Sequence, residues 1–170
     1  MLRVAAAQAI LLATATAMMK LSSGDFPDGG VVPSASMATD CGGKNRSPAL
    51  AWSDQPKAAK SFALIVRDPD APIPGGFYHW VVYNLPATTH GLAVNVDLAR
   101  DQLGETSLGK PGYYGPCPPP GPSHHYVFTL YALDVAHVAA DAPLTASQLE
   151  ARVAGHVLAR AVLRGTASHH

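Results

Sequence analysis

Five side chains of this sequence have the chemistry of a small polar site, and they fall in two short stretches. Asp68, Asp70 and His79 belong to the first, His124 and Tyr126 to the second. Two carboxylates, two imidazoles and a phenol permit three kinds of chemistry. The imidazoles and the phenol can donate to an oxyanion, joined by backbone N–H groups of the turn from Gly115 to Gly121. The same histidines and carboxylates are suitable ligands for a divalent metal. A His–Asp pair can act as a general base in hydrolysis. Against all three stands the plainer reading, aspartates that only cap a proline turn. The metal reading lacks a compact H-x-x-x-H pair. Nucleophilic catalysis lacks a G-x-S-x-G elbow, and Ser123 beside His124 in a strand points away from it. A carboxylate beside an anion is tolerable if it orients a histidine, shares a proton with the ligand, or meets an ammonium that the ligand carries.

The elements that must position these groups are mostly strands. Ser61 to Arg67 is apolar on both faces and β-branched at its centre, a buried strand that runs straight into Asp68-Pro69-Asp70. A second strand, His79 to Leu85, ends at Pro86. Strict alternation places His79, Val81 and Tyr83 on one face and Trp80, Val82 and Asn84 on the other. A third, His124 to Leu133, puts His124, Tyr126, Phe128 and Leu130 together, with His125, Val127, Thr129 and Tyr131 opposite. Short strands are expected at Val31-Val32 and around Leu50 and Trp52. Residues 87 to 114 read as a long irregular connection anchored by Leu92 and Val94. Helical spacing predicts one helix, from Thr145 or Ser147 through Arg164, with Gly165 as its stop and His156 as a packing or capping residue on it.

Composition sets the surroundings. Twelve lysines and arginines balance twelve acids, and only 14% of residues are charged, which argues against nucleic-acid binding or a polybasic membrane surface. Electrostatics must act locally. Residues 1–18 combine an early cation, Arg3, an apolar run and the small-x-small Ala15-Thr16-Ala17, and read as a signal peptide too short to be a permanent membrane span. Residues 19–166 then form one domain, and 167–170 a terminal tail. Export implies a periplasmic or secreted protein in an oxidising compartment; without a leader the chain is cytoplasmic. In the oxidising compartment Cys41 and Cys117 can pair, although Cys117 also reads as a small apolar residue in a proline turn. Asn45-Arg46-Ser47 fits a glycosylation sequon, but the following Pro48 favours a plain turn.

Two motifs in order resemble the phosphatidylethanolamine-binding protein family, closest to its bacterial branch. The first is Asp68-Pro-Asp-Ala-Pro72 with Tyr78-His-Trp-Val-Val-Tyr-Asn-Leu-Pro86. The second is Gly115-Pro-Cys-Pro-Pro119 with His124-His-Tyr126 and Phe128-Thr-Leu-Tyr-Ala-Leu133. Weaker similarity carries the resemblance from about Lys20 to Gly165, and Met19-Lys20 looks like the usual start of a leaderless member. The resemblance implies a mainly β fold, a large antiparallel central sheet packed on a smaller sheet, with a C-terminal α-helix. It implies an anion pocket at Asp68, Asp70, His79, Pro119, His124 and Tyr126, with Gly115 in the wall. It also implies non-enzymatic binding of phosphate or phosphorylated headgroups, no cofactor, and a regulated protein partner such as a kinase or protease. A metal-dependent hydrolase and a pocket-independent inhibitor are the alternatives. The loop from Pro119 to His124 is shorter than in animal members, their C-terminal extension is missing, and Phe77 replaces their tryptophan, so headgroup preference does not carry over.

Overall fold

A strand with no polar face needs cover on both sides, and Ser61–Asp68 (β4) receives it at the centre of the molecule. The computed structural model describes residues 18–169. The expected signal peptide lies outside the described residues except for Met18, and His170 lies outside them too. The other strands are β1 (Lys20–Ser22), β2 (Gly30–Val31), β3 (Leu50–Ser53), β5 (Phe77–Pro86), β6 (Gly91–Leu92), β7 (His124–Leu133) and β8 (Val157–Ala167), with, among the described residues, one α-helix, α1 (Ala146–Val153). Five strands form a sheet in the order β2-β8-β7-β4-β5, antiparallel except for the β2–β8 pair, and three form a smaller sheet, β1-β3-β6. The fold is therefore mainly β, with a large sheet packed on a small one.

The alternation of β4 sorts two cores. Phe62, Leu64 and Val66 face the small sheet and pack with Leu21, Leu50, Trp52 and Leu92. Ala63 and Ile65 face the other way, toward Leu149 and Val153 of α1 and Val138 and Leu144 of the preceding segment. Burying a side chain such as Phe62, 0% exposed, contributes about 1.5–3 kcal/mol. Leu92 is the anchor expected of it, whereas Val94 is exposed.

The expected C-terminal helix is cut short. Thr145 caps α1, its Oγ1 accepting from the Gln148 N–H while Gln148 Oε1 accepts from the Thr145 N–H. The helix ends at Val153, and the chain turns through Ala154-Gly155-His156 into β8. The sequence from Val157 to Ala167 fits a period of two as well as a helical one, and β7 decides the matter by pairing with it residue for residue from His124↔Ala167 to Tyr131↔Arg160. Gly165 is thus a strand residue. A Cβ there would lie 2.5 Å from Val32 Cγ2, so glycine lets Val32 and Phe26 close over β8. His156 sits in the turn, not on a helix, and its Nδ1 meets Asp134 Oδ1 at 2.8 Å. His169, in the expected tail, lies with Nδ1 3.6 Å from Cys41 Sγ.

Candidate anion site

The two motifs converge because β4 and β7 are antiparallel neighbours: the end of β4, with Asp68, lies beside the beginning of β7, with His124. Asp68 and His124 both lie on the small-sheet side of their strands, in line with Val66 and Phe128. Strict alternation would send His79 to the opposite face, and the structure corrects that expectation. Val66 pairs with Trp80, but the next β4 residue, Arg67, pairs with Tyr78, so His79 is the extra residue of a β-bulge. The bulge turns the imidazole toward β7. Val81 and Tyr83 remain in the α1-side core, while the His79 ring stands edge-on to Tyr126 at 5.1 Å.

Asp68, His79, Pro119 and His124 line one cavity of about 220 Å³. The Asp68 side chain is 4% exposed and its carboxylate is fully engaged. Oδ1 accepts from the N–H groups of Asp70 at 2.8 Å and Ala71 at 3.1 Å, and Oδ2 accepts from His124 Nδ1 at 2.7 Å. The carboxylate thus orients the histidine. On His79, Nδ1 donates to the Tyr114 carbonyl at 2.8 Å, which leaves Nε2 as the nitrogen for a ligand. Burial holds the His79 pKa below the ordinary histidine value, although the Tyr114 carbonyl and the Asp68 charge pull it up. His79 is therefore neutral at pH 7 and presents an acceptor.

The other expected residues stand outside the cavity lining. Asp70 turns outward, its Oδ2 accepting from the His125 N–H at 2.7 Å and from His125 Nδ1 at 2.6 Å, and these two bonds lower its pKa. Tyr126 is 1% exposed and lies behind His79. Its hydroxyl makes no hydrogen bond among the described residues; the Cys117 backbone is near but short of bonding geometry. Burial, with Asp68 second, pushes that hydroxyl above the usual phenol range. Gly115 is a brace: its N–H donates to Asn45 Oδ1 at 2.7 Å, and a Cβ would fall 2.1 Å from the Ser36 carbonyl oxygen. The turn also offers fewer donors than expected, since Pro116, Pro118, Pro119 and Pro120 have no N–H and that of Gly115 is taken.

Of the aromatic wall the sequence reading noted Phe77, as a departure from the animal members, and missed the rest. Phe77 lies 4.6 Å from His79, and Tyr114 stacks on the same ring at 6.0 Å and 13°. Phe77 opens β5 beside the motif residues, which is a usable signal, but Tyr114 and Leu108 come from the irregular connection and carry none. Cys117 also lines the cavity and is disulfide-bonded to Cys41, with Cα atoms 5.5 Å apart. The second wall is thereby tied to the 3-10 turn at Thr39–Cys41.

Comparison with known proteins reaches the same motifs. A family model described as phosphatidylethanolamine-binding protein matches residues 22–168. The chain belongs to the phosphatidylethanolamine-binding protein family. It is 40% identical over 151 residues to the UPF0098 protein YbhB of Escherichia coli, covering 84% of this chain and 96% of YbhB. Among solved structures of the family, Escherichia coli YbcL, titled a new member of the mammalian PEBP family, superposes with a TM-score of 0.83 at 31% identity, covering 91% of this chain and all (100%) of YbcL. A Chlamydia trachomatis homolog gives 0.82 at 38% identity, covering 90% of this chain and 99% of the homolog.

Proposed function

We propose that this family member binds phosphate, free or as a phosphorylated headgroup, in the cavity between β4, β5 and β7, without turning it over, and that the occupied rim regulates a protein partner. The observation that carries the reading is the division of labour between the two imidazoles. His124 is held in place through Nδ1 by the buried Asp68, while neutral His79 presents a bare Nε2 that takes up a proton as the anion binds. Donors occupy both oxygens of Asp68, which offsets part of the repulsion between its charge and the anion. Among the described residues no group of three or more His, Cys, Asp or Glu is arranged to hold a metal ion.

Titration calorimetry with inorganic phosphate and with phosphoethanolamine tests the assignment. His79→Ala and His124→Ala should each remove measurable binding of both ligands. Unchanged affinity in both variants would sink it. We also propose a periplasmic or secreted location, which the leader pattern and the Cys41–Cys117 bridge support.

A further inference from the structure

The opposite face of the large sheet carries a second constellation that shares no lining residue with the anion cavity. Over β4 and β5 that face is covered by α1 and the segment leading into it. Over β7 and β8 it stays open, and a depression of about 230 Å³ there is lined by Arg67, Arg160 and Arg164 together with Tyr78, Tyr131 and Thr129. Register explains the grouping. Arg67 of β4 and Arg164 of β8 both pair with Val127, one from each side, so they flank one residue with their backbones about 10 Å apart, two strand spacings. Arg160 lies four residues before Arg164, on the same face and about 13 Å along the strand.

The arginines have no acid of their own. All three are exposed, and among the described residues none forms an ion pair. The nearby carboxylates are committed elsewhere. Asp28 Oδ1 accepts from the backbone N–H of Arg164, Asp70 holds His125, and Glu150 accepts from the Tyr131 hydroxyl at 3.4 Å. Glu150 is the one acid in the lining, so a chain with balanced charges concentrates positive charge here.

We propose that this face docks an extended acidic peptide segment of a partner protein. Guanidinium forks match carboxylates in bidentate geometry, and arginine and tyrosine are among the side chains enriched at protein interfaces. Arg160 and Arg164 repeat at the pitch of an extended chain, so carboxylates four residues apart on such a peptide meet both, and Arg67 takes a third from the side. Docking is through side chains, because the three arginines line the depression on the open face of the sheet, whereas β2 pairs with β8 only at Gly165 and Thr166. A lipid surface fits less well, since none of the exposed large apolar side chains lines the depression.

The test is an amide-detected NMR titration of the full chain with a synthetic nonapeptide bearing glutamates four residues apart, and with its glutamine counterpart. Shifts should cluster at Val127, Thr129 and Val162, the glutamine peptide should bind at least tenfold more weakly, and Arg160→Glu with Arg164→Glu should abolish binding while leaving phosphate-induced shifts at His79 and His124 intact. Equal binding of the glutamine peptide, unchanged binding by the double variant, no shifts at all, or tighter binding to phosphatidylglycerol vesicles than to the peptide would each overturn the proposal.

Discussion

His79 is the residue on which pH acts most directly. Its folded pKa lies below the ordinary value of 6.5 because burial penalises the charged ring. As pH falls below 6.5 the unfolded chain takes up this proton first, so stability drops, and the loss is complete once pH is below the folded value. Above 6.5 neither state holds the proton and the contribution is constant. Phosphate binding runs the other way. An anion against Nε2 draws a proton onto His79, so binding at pH 7 takes up protons and affinity falls as pH rises, by at most about tenfold per pH unit. Calorimetry in two buffers of different ionisation enthalpy should give different heats for the wild type and equal heats for His79→Gln. Equal heats for the wild type would refute the neutral starting state.

Among the elements, the wall from Gly115 to Gly121 depends on the bridge between Cys41 and Cys117, which closes a sequence separation of 76 residues. Cys41→Ser with Cys117→Ser should lower stability by about 2–4 kcal/mol, read from urea midpoints, and weaken phosphate binding as Cys117 and Pro118 loosen. A midpoint unchanged by the double substitution would show the bridge to be idle. The strands that build this site were legible: β4, β5 and β7 are long, apolar and bounded by proline or glycine, and period two placed His124 and Tyr126 on one face. What stayed hidden depends on tertiary pairing. No local pattern marks the extra residue at His79, because a bulge is a relation between two strands. Likewise the stretch Val157 to Ala167 satisfies helix and strand periods alike, and its partner β7 chooses. Asn45, which read as a turn residue, braces the wall with both ends of its amide, Nδ2 donating to the Tyr113 carbonyl and Oδ1 accepting from Gly115.

For the whole molecule, the boundary of the fold bears on export. Met19 is 7% exposed and belongs to the core cluster that joins the two sheets, whereas Met18 is 82% exposed. Cleavage after Ala17 would leave that core intact. Intact-mass measurement of the secreted or periplasmic protein should find a chain beginning at Met18 or Met19, and a chain retaining Met1 in that fraction would refute the signal-peptide reading. The two proposed binding faces share β7, whose alternate residues line the anion cavity and the arginine depression. The disulfide has a further consequence at this scale. Every peptide bond from Gly42 to Pro116, including all of β3 to β6, lies inside the covalent loop it closes. A protease that nicks the long connection between β6 and β7 ahead of Cys117 leaves two fragments still joined, which run as one chain until a reductant separates them.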